Sequence, residues 1–410
     1  MKRVMRKSIS VLLALVVTVT SLSIETVFAA ENGEDSNTSV LDTALANYDF
    51  SDYTLGEDGN LHAGDAVITL ESFGGYPKPE LVEDADRGQV LSLTEQKSNA
   101  DNRGNALLPE NPFAGKPTEN GFTLNFWSKT TGTAEQSKCL VDFELAPAAE
   151  RRAGTFAFNQ GAVYWNVTDQ LGDSGFTDFN IDNMAFGDAR YWKMVTMTLT
   201  STGVVFYSNG QKIEHSLSDV TVAVGREDYE ELIKELAGAG SVCTDPAQTK
   251  VRLGASMAQY WSGAGALLDD ISFFGKALSD SEVATLYHET CKGREEIRIG
   301  DYKIYTQQDD SGKRTASIVG YFGSGGNVVI PGEIEGYQVV RLEDRVFYGN
   351  NSLTSLEAPE SLKEIGSEAF MGCANLAEVN FHLRTRADTL LLRTEYQTCN
   401  KHLLLTEKSG

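Results

Sequence analysis

Apolar and polar residues alternate in short runs over most of the chain. In GFTLNFWSKT, Phe122, Leu124 and Phe126 fall on one parity and Thr123, Asn125 and Trp127 on the other. That is the two-residue period of a half-buried strand. ALANYDF, DAVITL and GQVLSL precede it, and KCLVDFEL, GTFAFN, AVYWNV and VRLGAS follow. Gln160-Gly161, between GTFAFN and AVYWNV, predicts a hairpin. YWKMVTMTLTSTGVVFYSNGQKIEHSL reads as three strands turning at Ser201–Gly203 and Ser208–Gly210, where Asn209-Gly210 tolerates the positive φ of a tight hairpin. Short strands at this spacing predict a mainly β chain, an antiparallel β-sandwich.

Two stretches switch period. In REDYEELIKELAGAG, Tyr229, Leu232, Ile233 and Leu236 sit at helical spacing, with Gly238 suited to the position just past the end. This predicts a short helical insertion. In Leu267–Tyr287, Leu267, Asp269, Ile271 and Phe273 share one parity, which aims Asp269 inward at the start of a strand. Gly275 ends that strand, and Ser279 with Glu282 forms a capping box that opens a helix running to about Glu289. The charged run KGREE then reads as a linker over 291–298.

Beyond it the pattern repeats. Leu342 matches Ile365, Phe347 matches Phe370, Leu353 matches Leu376, and Leu356 matches Val379, each 23 residues on. A fixed period of this size predicts a solenoid over 299–381, each coil burying its apolar set against the next. The tail 382–410 is basic and leucine-rich, keeps no such register, and reads as irregular, as if truncated or frame-shifted.

Charge and leader change the picture next. Residues 1–30 place Lys2, Arg3, Arg6 and Lys7 before the apolar run Val11–Val19 and the small residues Ala29 and Ala30. This is the pattern of a secretory signal peptide, and the run is too short for a membrane span. ENGEDSNTS then predicts a disordered acidic lead over 31–41. The formal charge of −23 argues against nucleic acid and anionic lipid as partners. The five cysteines are far apart and form no C-x-x-C, so neither zinc nor redox chemistry is indicated, and Cys243 with Cys291 is the one candidate bridge.

The tryptophan-led strand at Trp192, the Asn209-Gly210 hairpin, and Asp269, Asp270, Ala277, Leu278, Ser279 and Glu282 together resemble the laminin G-like, concanavalin A-like lectin/glucanase family. Tyr48, Phe50 and Asp52 resemble its opening strand, so the likeness covers about 42–290. It implies an antiparallel jelly-roll β-sandwich. Leu362, Ile365, Gly366, Ala369, Phe370, Cys373 and Leu376 resemble the BspA-like leucine-rich repeat, and NVVIP resembles its entry strand. The whole reads as a jelly-roll sandwich with a short helical insertion, then a short β-rich leucine-rich-repeat solenoid segment.

Three chemistries follow. The resemblance makes Asp52 a neighbour of Asp269 and Asp270, so these oxygens are the candidate ligands of a structural Ca2+. Aromatic faces beside polar groups suit sugar rings, which makes Tyr260, Trp261, Tyr164 and Trp165 the candidate ligand-binding residues, while Trp127 and Trp192 suit core positions. No catalytic residue is expected: E-x-D-x-x-E, G-x-S-x-G and H-E-x-x-H are all missing, and the histidines are scattered. The expected function is a secreted or cell-surface binding and adhesion protein whose partner is an extracellular glycan or a host or cell-surface protein. A secreted glycoside hydrolase on the same fold, and a purely protein-binding adhesin using the repeats, are the alternatives.

Overall fold

The alternation in GFTLNFWSKT is realised as the central strand of one sheet, in a computed structural model. It describes residues 38–95, 103–132, 138–145, 154–167, 177–181, 191–218, 228–254, 263–308, 312–366, 368–381 and 404–407. The sandwich strands are β1 (Ala46–Tyr48), β2 (Thr54–Leu55), β3 (Leu61–Ala63), β4 (Ala66–Phe73), β5 (Glu80–Asp84), β6 (Gly88–Leu93), β7 (Arg103–Leu107), β8 (Phe122–Thr130) and β9 (Cys139–Glu144). They continue with β10 (Gly154–Asn159), β11 (Ala162–Val167), β12 (Thr177–Ile181), β13 (Lys193–Thr200), β14 (Gly203–Ser208), β15 (Gln211–Ile213), β16 (His215–Ser218), β17 (Lys250–Leu253) and β18 (Ala266–Phe274). One sheet runs β15-β14-β13-β8-β18-β6-β5, with β1 added on β18; the other runs β16-β12-β11-β10-β9-β17-β7-β4-β3-β2. Antiparallel pairing throughout makes this the expected β-sandwich.

The inner faces meet where the pattern placed them. Phe122, Leu124 and Phe126 of β8 and Val195 and Met197 of β13 pack with Val141, Phe143, Phe156, Phe158, Val251 and Leu253 of the other sheet. Full burial of each such side chain stabilises the fold by about 1.5–3 kcal/mol. Phe113 enters from a loop and stacks on Phe122 at 4.4 Å. All three predicted hairpin turns form. Asn209 and Gly210 have φ of 49° and 76°, and a Cβ on Gly210 would come within 3.0 Å of the Tyr287 side chain, so glycine is needed twice over. The stretch read as three strands holds four, β13 to β16, because a break at Glu214 separates β15 from β16.

Helix α1 (Tyr229–Leu236) is capped by the Asp228 side chain, buries Leu232, Ile233 and Leu236 in the inter-sheet core, and ends with Gly238 at φ 73°. Helix α2 (Asp280–Thr290) opens on the capping box: Ser279 N donates to Glu282 at 2.8 Å and Glu282 N to Ser279 Oγ at 3.3 Å. It covers the outer face of the β8 sheet, where Val283, Leu286 and Tyr287 pack on Trp127, Trp192, Met194 and Leu267. Trp127 and Trp192 are thus buried in this outer layer, not between the sheets.

The single parity expected for Leu267–Phe273 is broken. The register of β18 shifts between Asp269 and Ser272, and Asp270 takes φ 46°. This is a β-bulge, which turns the following residues over. Leu267 therefore faces the α2 layer while Ile271 and Phe273 face the inter-sheet core. Asp269 is buried, as expected, but level with Trp127 and on the α2 side.

The repeat segment adds β19 (Glu296–Ile299), β20 (Tyr302–Gln308), β21 (Arg314–Tyr321), β22 (Gly326–Val329), β23 (Glu333–Ile334), β24 (Tyr337–Leu342), β25 (Leu353–Glu357), β26 (Glu364–Ile365), β27 (Glu378–Phe381) and β28 (Leu404–Glu407). β19 begins inside the stretch read as a linker. The 23-residue period becomes register: Leu342 pairs with Ile365, and Leu356 with Val379, in parallel ladders. The tail departs from expectation. β28 pairs in parallel with β27, Glu378 opposite Leu404, and so continues the sheet at a longer spacing than the repeat. LLLTE lacks the L-x-x-I-G signature, which hid it.

Cys139, Cys243, Cys291 and Cys373 are buried free thiols, so the expected Cys243–Cys291 bridge is not made. Cys243 lies with α1 in the inter-sheet core and Cys291 caps α2 in the outer layer. Among the described residues no helix is long and apolar enough to cross a membrane; the leader 1–30 lies outside them.

Candidate functional site

Two of the three expected metal ligands come together. Asp269 and Asp270 are buried, but the third carboxylate beside them is Asp49, with oxygens all within 4.8 Å of one another. Asp52 instead sits exposed at the end of a 3-10 turn, Phe50–Asp52. Reading YDFSD as one extended strand put Asp52 on the wrong side, because the strand ends at Tyr48 and the chain turns.

Cationic side chains already meet these oxygens. Arg87 Nε donates to Asp269 Oδ2 at 2.8 Å, Arg87 Nη2 donates to Asp270, and Lys292 Nζ lies 3.0 Å from Asp269 Oδ2. Arg87 also donates to the Thr290 carbonyl at 3.1 Å and lies over the Trp127 ring at 4.2 Å. Burial and then the Asp269 charge push the Asp270 carboxyl up to about 6, against the pull of Arg87 and Lys292. Calcium asks for six to eight oxygens. With Arg87 and Lys292 bonded to the converging carboxylates, this set does not fit it.

The expected aromatic residues separate. Tyr260 and Trp261 lie outside the described residues. Tyr164 and Trp165 are neighbours on β11, so the pleat sends them to opposite faces. Trp165, 5% exposed, packs into the inter-sheet core against Tyr229 at 6.2 Å. That withdraws it from any ligand on the outside of the sheet. Tyr164 is half-buried on the outward face, against Cys139 and Ala157.

That outward face carries polar groups the motifs did not reveal. Arg252, Asp142, Ala157 and Tyr164 stand side by side across β17, β9, β10 and β11. Arg252 Nε donates to Glu144 Oε2 at 3.1 Å, and its Nη1 donates to Glu71 and, at 3.3 Å, to Asn105 Oδ1. Asn105, Asp142, Glu144, Asn159 and Arg252 are all buried. Asn105 Nδ2 and both polar atoms of the Asn159 side chain have no partner in the protein. A buried amide without a partner costs about 1–3 kcal/mol. The signal was present in KCLVDFEL, where Asp142 and Glu144 alternate with Val141 and Phe143; it marks a face, not a motif.

Residues 333–389 match the model for the BspA type leucine rich repeat region (6 copies). No curated protein matches the chain. Among solved structures, the chain is similar to the binding domain of botulinum neurotoxin DC, solved in complex with rat synaptotagmin II, at 12% identity and TM-score 0.37, over 67% of this chain and 64% of that one. It is also similar to domain 4 of AbnA, a GH43 extracellular arabinanase from Geobacillus stearothermophilus solved with arabinotriose, at 14% identity and TM-score 0.35, over 60% of this chain and 98% of that one. The chain is also similar to a leucine rich cell surface protein from Faecalibacterium prausnitzii A2-165, at 31% identity and TM-score 0.19, over 21% and 23% of the two chains. This chain thus spans just under two thirds of the toxin binding domain's length. Residues 333–389 are BspA-type leucine-rich repeat, the family that the Leu362–Leu376 pattern resembles.

Proposed function

We propose that this is a secreted or cell-surface binding protein whose laminin G-like sandwich takes a carbohydrate on the outward face of the ten-stranded sheet. The observation that carries the reading is the set of buried amide atoms left without a partner, Asn105 Nδ2 and both polar atoms of Asn159, beside the Arg252–Glu144 pair. A sugar offers hydroxyls that both donate and accept, which suits a face with an open amide donor, an open amide acceptor and fixed charges. Tyr164 supplies an aromatic edge on the same side. We read the site as binding, not cleaving. Asp142 and Glu144 stand two apart on one strand face, a spacing of about 7 Å that hydrolases use, but Arg252 engages the Glu144 carboxylate.

A glycan array with the intact chain tests this. Binding that is lost in both Asn105→Ala and Asn159→Ala supports the site, and an array that stays blank rejects it. Polysaccharide turnover that disappears in Glu144→Gln would replace binding with hydrolysis. A protein partner for the repeats is the second reading, favoured by the exposure of Phe322, Val329 and Tyr348, all in that segment. Cell binding abolished by protease but not by glycosidase treatment would select it.

A further inference from the structure

The geometry points to Arg87 as the resident cation of the Asp49–Asp269–Asp270 cluster: in this chain a guanidinium stands where the laminin G-like resemblance leads one to expect calcium. Asp269 and Asp270 aim adjacent carboxylates at one point because the bulge gives Asp270 φ 46°. Arg87, only 5% exposed, fills that point with Nε on Asp269 and Nη2 on Asp270. A planar fork matches two carboxylates in a way a lysine ammonium cannot. Its faces are occupied as well, by Trp127 at 4.2 Å and Trp192 at 5.3 Å. The remaining donor holds the Thr290 carbonyl near the end of α2. One side chain thereby joins the turn after β5, the bulge of β18 and helix α2. The Oδ2 atoms of Asp269 and Asp270 are thus both engaged by this one guanidinium.

Two consequences follow. The wild-type sandwich does not depend on calcium. Removing the guanidinium while keeping its bulk, in Arg87→Met, leaves the three convergent carboxylates held only by Lys292, whose side chain is 30% exposed and free to swing outward, and so creates a calcium site. Terbium luminescence excited through tryptophan reads this directly, since Trp127 and Trp192 flank the cluster. For the wild type we expect a signal unchanged by Asp269→Asn, and a Tm unmoved by chelator or by millimolar CaCl2. For Arg87→Met we expect added terbium emission that Ca2+ displaces and Asp269→Asn abolishes, together with a Tm that rises in CaCl2. Arg87→Lys, which keeps a cation but loses the fork, should add no terbium emission and should show a Tm below that of the wild type. If Arg87→Met folds only when calcium is supplied, the replacement is shown more strongly still. Wild-type emission lost in Asp269→Asn, a folded Arg87→Met that adds no emission, or an Arg87→Met that fails to fold with and without calcium would each overturn the proposal.

Discussion

Phe347 and Phe370, 23 residues apart, lie face to face with ring centroids 5.5 Å apart and planes 13° from parallel. The same offset sets Arg345 against Glu368 at 2.7 Å and Leu342 beside Ile365. Each coil repeats its contacts one layer up, but the layers differ in worth. Phe370 is 6% exposed, and Phe370→Ala should destabilise the repeat segment by about 3–5 kcal/mol through lost burial and the cavity left behind. The Arg345–Glu368 pair is exposed, so Arg345→Ala should cost no more than about 1 kcal/mol. Urea unfolding of the two variants compares them; equal losses would contradict the stacked-coil packing.

Trp165 and Tyr164 should part company in the same way. Trp165 belongs to the inter-sheet core, so Trp165→Ala should cost about 3–5 kcal/mol. Tyr164→Ala, on the outward face, should cost clearly less and should weaken glycan binding. A Trp165→Ala protein with wild-type Tm would remove Trp165 from the core.

The periodic features were legible in the sequence because burial follows period. The parity of Phe122, Leu124 and Phe126, the Ser279–Glu282 capping box, the Asn209-Gly210 turn and the 23-residue offset all reappear as packing or register. What depends on one residue's φ was not. The bulge at Asp270 redirects every side chain after it, and nothing in LLDDISFF announces a left-handed aspartate. Arg87 escaped notice because its partners lie more than 180 residues away in the chain. The outward polar face failed for a related reason: Glu71, Asn105, Asp142, Glu144 and Arg252 come from four strands whose order the sequence does not state.

The free cysteines predict an unusual indifference to redox conditions for a chain read as secreted. Burial pushes the Cys243 thiol up to about 11 and raises Cys291 and Cys139 as well. The thiolate is the reactive form, so these groups should be inert while folded. Reducing agent should leave the Tm unchanged, and a thiol-specific chromogenic reagent should react with them only after unfolding. Rapid labelling of Cys243 or Cys291 in the native protein would refute this.

Glu296 is where the repeat segment is fixed to the sandwich, and it predicts an acid-sensitive joint. Its carboxylate meets Lys193 at 3.1 Å and Lys303 at 2.7 Å, accepts from Tyr191 Oη at 3.1 Å and Asn209 Nδ2 at 3.2 Å, and its own N–H donates to Tyr287 Oη at 2.7 Å. Burial opposes ionisation, but Lys193 and Lys303 outweigh it and hold the carboxyl below its ordinary 4.5. A carboxylate held low in the folded state binds fewer protons than in the unfolded chain between the two values. Its contribution is therefore complete above about pH 4.5 and disappears as pH falls through the folded value. Glu296→Gln should cost about 3–5 kcal/mol near neutrality, because Lys193, itself buried, loses its countercharge. The gap between wild type and variant should narrow on acidification below about pH 4.5 and stay constant above it. Urea titrations at neutral pH and in acid measure both limbs; a gap that widens in acid would show that Lys193 and Lys303 do not stabilise the ionised carboxylate.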